Sequence, residues 1–179
     1  MINYPYIYFE NFLDEEQIKS VNNYLEQNIE GADKLGTDYK NSKSYNCNLE
    51  EDHFLNSKIC STVHQSNNTN FGYDLYDLPI TYVNLNHYSG DKNDYDWHID
   101  CNPYGHKNDL KLTFIINISL SEYTGGELLL SPGKTINIPE LDVPGNAILF
   151  PGFTSHKVTP VTSGKRTSLS VWFHGPGFK

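Results

Sequence analysis

The spacing of apolar positions along the chain changes near residue 71. Before it, Leu13, Ile18, Val21, Tyr24 and Leu25 recur at near-helical intervals, and Ile59, Cys60 and Val63 do so again. Asp14 with Gln17 three residues on has the spacing of a capping box, which predicts a first helix over about 14–28. A second is predicted over about 56–65, ended by the polar run Ser66-Asn67-Asn68-Thr69-Asn70. Residues 6–9 read as a short strand ahead of both. Residues 31–48 are polar, carry Gly31 and Gly36, show no steady period and read as a long loop.

From Phe71 onward the pattern becomes that of strands. Stretches 80–88, 95–100, 110–120, 127–130, 147–150, 156–159 and 167–174 are rich in β-forming residues. Phe114, Ile115, Ile116 and Ile118 form a nearly continuous apolar run suited to a buried strand. Gly125-Gly126, Pro132-Gly133 and Pro144-Gly145-Asn146 punctuate the series as turns. Short strands at regular spacing argue for a sandwich or jelly roll. The predicted class is therefore mainly β with N-terminal helices. At 179 residues the chain reads as one domain, with a strand, helices and loop over 1–70 and a jelly-roll core over 71–179.

Composition narrows the function. A formal net charge of -9 and no Lys/Arg-rich run repel phosphate backbones, so a nucleic-acid partner is not expected. The start has neither a charged region nor a long apolar one, so no signal peptide is read, and no apolar span has membrane length. Cys47, Cys60 and Cys101 are odd in number and irregularly spaced, which suggests neither a disulfide framework nor a zinc site. Free thiols in a reducing cytoplasm are the expectation. Nothing in the sequence addresses the oligomeric state.

The candidate chemistry starts at Tyr95-Asp96-Trp97-His98-Ile99-Asp100. A His and a carboxylate two residues apart face the same side of a strand and can hold a divalent metal if a third ligand closes the triangle. His156, opening a later strand after a turn, is placed to do so, although taken alone it reads more readily as a solvated turn-end histidine. Arg166 opens another strand, where its planar fork suits a carboxylate. A solvent-facing strand end is the alternative for it.

Four ordered motifs then resemble the 2-oxoglutarate- and Fe(II)-dependent oxygenases, in particular their prolyl 4-hydroxylase-like branch. They are Tyr88-Ser89-Gly90 with Tyr95 and His98-Ile99-Asp100; Tyr123-Thr124-Gly125-Gly126-Glu127-Leu128; Pro144 through Phe150; and His156 through Val161 with Gly164-Lys165-Arg166 and Trp172. Residues 12–16 also look like the helix start that the family places before its barrel. No likeness extends over 31–70.

The resemblance implies a double-stranded β-helix, the jelly-roll core of that family. It implies Fe(II) held by His98, Asp100 and His156, and 2-oxoglutarate paired with Arg166 and hydrogen-bonded by Tyr88. Ser170, on the same strand face as Arg166, would add a bond; Trp172 would pack near the metal and Tyr95 would line the substrate side. The implied reaction consumes O2, with ascorbate in support, and yields succinate, CO2 and a hydroxylated amino-acid residue, prolyl first, in a protein or peptide. A free amino acid or small metabolite is the alternative substrate, and a catalytically silent jelly-roll metal-binding protein the alternative function. Nucleic-acid demethylases of this kind carry a second Arg six residues after the anchor, where this chain has Trp172. His53, His64, His87, His106 and His174 are read as solvated or packed.

Overall fold

The computed structural model describes residues 4–34, 40–90, 92–102, 105 and 109–178, with 31–34 as backbone only. The elements run β1 (Ile7–Phe9), α1 (Glu15–Gln27), β2 (Ile29–Lys34), β3 (Lys43–Asn48), α2 (Phe54–Ser66) and β4 (Tyr82–Ser89). They continue with β5 (Tyr95–His98), β6 (Leu110–Asn117), β7 (Tyr123–Gly125), β8 (Leu128–Ser131) and β9 (Ile136–Asn137). The last three are β10 (Ala147–Pro151), β11 (Ser155–Val158) and β12 (Val161–His174).

The strands form two antiparallel sheets. The larger follows the order β1-β10-β6-β12-β4-β3-β2, with β7 also on β12, and the smaller follows β5-β11-β8-β9. Two cores result from the period-2 alternation of the central strands. On the outer face of the large sheet, Val83, Leu85, Leu112, Phe114, Ile116, Leu169, Val171 and Phe173 pack with Val21 and Leu25 of α1 and Leu55, Ile59 and Val63 of α2. On the inner face, Ile115, Ile148 and Phe150 meet Leu128, Leu130 and Val158 from the small sheet. Each such side chain contributes about 1.5–3 kcal/mol on leaving water.

The capping box predicted for α1 is present. Asp14 Oδ1 accepts from the Gln17 amide at 2.8 Å, and Gln17 Oε1 accepts from the Asp14 amide at 3.2 Å. Asn22, buried mid-helix, donates across to the Ile118 carbonyl at 2.8 Å and so fixes α1 to the end of β6.

Two expectations from the sequence fail. Residues 31–48 are not one long loop: β3 pairs with β4 over six residues, from Lys43↔His87 to Asn48↔Tyr82, and β2 pairs with β3. Segments before residue 71 thus supply three strands of the large sheet, not only a leading strand, helices and loop. Ser42 and Ser44 are buried although polar, while Cys47 and Tyr45 pack toward the outer core. That polar inward side removes the apolar alternation by which a strand is recognised. Nor does the 66–70 run simply end α2. It continues as a π-helical turn over Asn67–Phe71 and stops at Gly72, whose φ of 71° glycine adopts freely.

Candidate metal and co-substrate site

His98 and His156 are cross-strand partners between β5 and β11, with ring centroids 4.1 Å apart. Asp100 lies two residues beyond His98, and the amides of Asp100 and Cys101 both donate to the Gly152 carbonyl at 3.0 Å. This ties the His98–Asp100 segment to the turn that leads into His156. One ligand atom from each of His98, Asp100 and His156 lies within 4.8 Å of the others. The imidazole Nε2 atoms stand 3.8 Å (His98) and 3.7 Å (His156) from the Asp100 carboxylate. Those gaps fall within the span of two metal–ligand bonds of about 2.1 Å.

The tautomers suit ligation. His98 Nδ1 lies 2.7 Å from the Asp96 carbonyl and His156 Nδ1 2.9 Å from the Thr154 carbonyl. A carbonyl only accepts, so each Nδ1 carries the proton and each Nε2 presents a lone pair toward Asp100. Burial, with His156 alongside, pushes His98 down to about 4, so its ring is neutral at pH 7. The donor set of two imidazoles and one carboxylate on one side fits an octahedral first-row ion with open positions.

The second half of the site is another cross-strand pair, Arg166 on β12 opposite Tyr88 on β4. Arg166 is 1% exposed, with its guanidinium carbon 5.2 Å from the centre of the Tyr88 ring. Nη1 donates to Ser168 Oγ at 3.2 Å, while Nε has no partner among the described residues. No carboxylate among the described residues lies within 4.0 Å of it. A buried guanidinium without a counter-charge costs several kcal/mol unless an anion meets it. The residues therefore fit a bound carboxylate. Burial pushes the Tyr88 phenol up, with Arg166 opposing, so at neutral pH it keeps its proton to donate. Gly126 makes room: a Cβ there would lie 2.8 Å from Arg166 Cδ and 2.9 Å from Val161 Cγ2.

Other predicted residues fall close by. Ser170 Oγ accepts from Asn86 Nδ2 at 3.4 Å, which leaves its hydroxyl proton to donate elsewhere. Trp172 donates from Nε1 to Asp100 Oδ2 at 3.0 Å. Tyr95 stacks on the His98 ring at 3.6 Å and 9°. Away from the site, His53 caps α2, His64 and His174 lie near Asp77 and Asp109, and His87 meets Thr167; His106 lies outside the described residues.

Sequence reasoning missed Thr113, Ser168, Asn86 and Tyr123. Thr113 donates to Asp100 Oδ2 at 2.8 Å. Ser168 was within reach of the pattern, since it is two residues after Arg166 on the same strand face. The others join the site through pairing that only the fold creates. A cleft of about 790 Å³ between the start of α1 and residues 119–124 includes Tyr123 but none of the triad.

Residues 83–174, just over half of the chain, match the model of the 2OG-Fe(II) oxygenase superfamily. A PKHD-type hydroxylase of Synechococcus sp. (strain CC9902) is 39% identical over 82 residues, covering 44% of this chain and 35% of that protein. PKHD-type hydroxylase PiuC of Pseudomonas aeruginosa is 29% identical over 168 residues, covering 88% and 73%. The chain thus spans well under half the length of several curated relatives it matches. The crystal structure of a Pseudomonas putida prolyl-4-hydroxylase shares the fold at a TM-score of 0.71 and 14% identity, covering 97% of this chain and 94% of that one. A family match of that extent, over the stretch that contains both cross-strand pairs of the site, places the chain in the 2OG-Fe(II) oxygenase superfamily.

Proposed function

We propose that the chain is a 2-oxoglutarate- and Fe(II)-dependent dioxygenase that hydroxylates an amino-acid residue, prolyl first, in a protein or peptide. The observation that carries this reading is Arg166: a fully buried cation with an unpartnered Nε and, among the described residues, no carboxylate within 4.0 Å, Asp142 acting on it only from farther away. In this reading His98, Asp100 and His156 hold Fe(II). Arg166 pairs with the distal carboxylate of 2-oxoglutarate, Tyr88 donates to it, and Ser170 adds a bond from the same strand face. When bound, the metal with 2-oxoglutarate and O2 supplies the oxidising chemistry, releasing succinate and CO2 and leaving one oxygen on the substrate.

The chain's own part is to bind, orient and keep water out. Ile115 and Phe150 give the inner face an apolar lining between the sheets. Tyr95, flat on the His98 ring and with Lys40 Nζ 4.8 Å from its own ring centre, holds that ring and in this reading lines the substrate side. Trp172 completes the wall at Asp100. The PKHD-type hydroxylase relatives and the prolyl-4-hydroxylase neighbour support a prolyl residue as the target. Ascorbate would keep the metal reduced between turnovers. Three described cysteines without disulfides suit a cytoplasmic setting, and no described helix is long and apolar enough to cross a membrane.

Incubation with Fe(II), ascorbate, 2-oxoglutarate and proline-containing peptide pools tests the substrate assignment. The expected product is a peptide heavier by one oxygen on proline. Modification of free amino acids alone would move the assignment to a small-molecule hydroxylase.

A further inference from the structure

Thr113 on β6 and Trp172 on β12 are directly opposite each other across an antiparallel pair. Both send a donor to one atom, Asp100 Oδ2: Thr113 Oγ1 at 2.8 Å and Trp172 Nε1 at 3.0 Å. A carboxylate oxygen has two in-plane lone-pair sites, so two such bonds occupy Oδ2 and oppose rotation of the carboxylate, with Oδ1 3.8 Å from His98 Nε2 and Oδ2 3.7 Å from His156 Nε2. The donors also sit on the two central strands of the large sheet, whereas Asp100 follows β5 of the small one. They are the polar link that sets the carboxylate of one sheet against the frame of the other. Thr113 is 1% exposed and cannot turn its hydroxyl to bulk water.

We propose that Thr113 and Trp172 are the positioning residues of Asp100: their two bonds to Oδ2 hold the carboxylate in the orientation in which it faces the His98 and His156 Nε2 atoms. The inference rests on the metal-site reading given above. A carboxylate free to rotate would lose that orientation, and metal affinity with it. Trp172 therefore serves the metal through Asp100 rather than by packing against it, and Thr113 acts with it although nothing in the sequence pairs the two.

The test is anaerobic titration of the metal-free chain with Co(II), read by visible absorption. T113V and W172F should each weaken binding by about 10- to 100-fold, the usual cost of losing an outer partner of a ligand, and should change the band envelope as the carboxylate is released. T113S, which keeps the hydroxyl, should retain wild-type affinity and spectrum. Trp172 is 37% exposed, so W172F carries the test alone should T113V not fold. Unchanged affinity and spectrum in W172F, with the wild type binding Co(II), would overturn the inference and leave the metal site standing. A wild type that takes up no Co(II) would overturn the metal-site reading and the inference with it.

Discussion

His98 and His156 face each other across β5 and β11, and the same arrangement recurs twice in the site: Tyr88 opposite Arg166, and Thr113 opposite Trp172. Residues far apart in the chain are thus brought together by strand register. A slip of one residue would turn any of these side chains to the opposite face of its sheet. The strand-borne residues of the site are set by the same pairing that builds the fold, and Asp100 by the bonds of its own and the Cys101 amide to the Gly152 carbonyl.

The anchor gives the first prediction. If Arg166 pairs with the co-substrate carboxylate as proposed, Arg166→Ala should cost about 2–5 kcal/mol, or roughly 30- to several-thousand-fold in affinity. Titration calorimetry with 2-oxoglutarate and Mn(II) measures it. Equal affinity in the variant would remove Arg166 from the site.

Gly126 is predicted to be intolerant. Its φ of 73° strains any side chain, and the added methyl would press on Arg166 Cδ at 2.8 Å. Gly126→Ala should cost about 1–3 kcal/mol of stability and weaken 2-oxoglutarate binding as Arg166 shifts. Thermal melts and the same titration read both effects; a variant that melts and binds like the wild type contradicts the close packing.

Asn117 shows how asparagines hold the loops. Its Nδ2 donates to Tyr123 Oη at 2.9 Å and to the Leu141 and Asp142 carbonyls, and its Oδ1 accepts from the Ser119 amide. Asn117→Ala takes this partner from the Leu141 carbonyl and the Ser119 amide, at about 1–3 kcal/mol for each that water cannot reach, while the Tyr123 hydroxyl still donates to the Asp142 carbonyl at 3.2 Å. Urea unfolding should show a loss larger than that of a half-buried Asn→Ala control such as Asn28, whose side chain donates to the Tyr24 carbonyl.

Stability of the metal-free chain should depend on pH through His98. Its folded-state value of about 4 lies below the ordinary 6.5, so between these values the unfolded chain binds more protons. The stabilising contribution is complete above about 6.5 and is lost as pH falls toward 4. Urea midpoints across that window should fall more steeply for the wild type than for His98→Gln. Parallel curves would contradict the buried neutral ring.

The sequence exposed the parts of this molecule that carry local signals. The α1 cap at Asp14 and Gln17, the apolar run of β6 and the spacing of His98 and Asp100 are all readable one segment at a time. What it concealed has a common cause. β3 turns Ser44 into a polar interior, so a genuine strand lacks the apolar alternation that identifies one. Thr113 looks like one more polar residue in a strand until register sets it opposite Trp172. Asn86 and Tyr123 likewise acquire their places only when β4 and β7 pair with β12. Ligands follow from spacing; the groups that orient them follow from pairing.

The triad and Arg166 are proposed to serve 2-oxoglutarate turnover together, and succinate formation by the purified chain with Fe(II), ascorbate, O2 and peptide pools is the test. Succinate is expected from the wild type and none above background from Asp100→Ala or Arg166→Ala at ordinary co-substrate concentration. Absence of succinate from the wild type under every condition, or equal succinate from all three, would contradict the proposal.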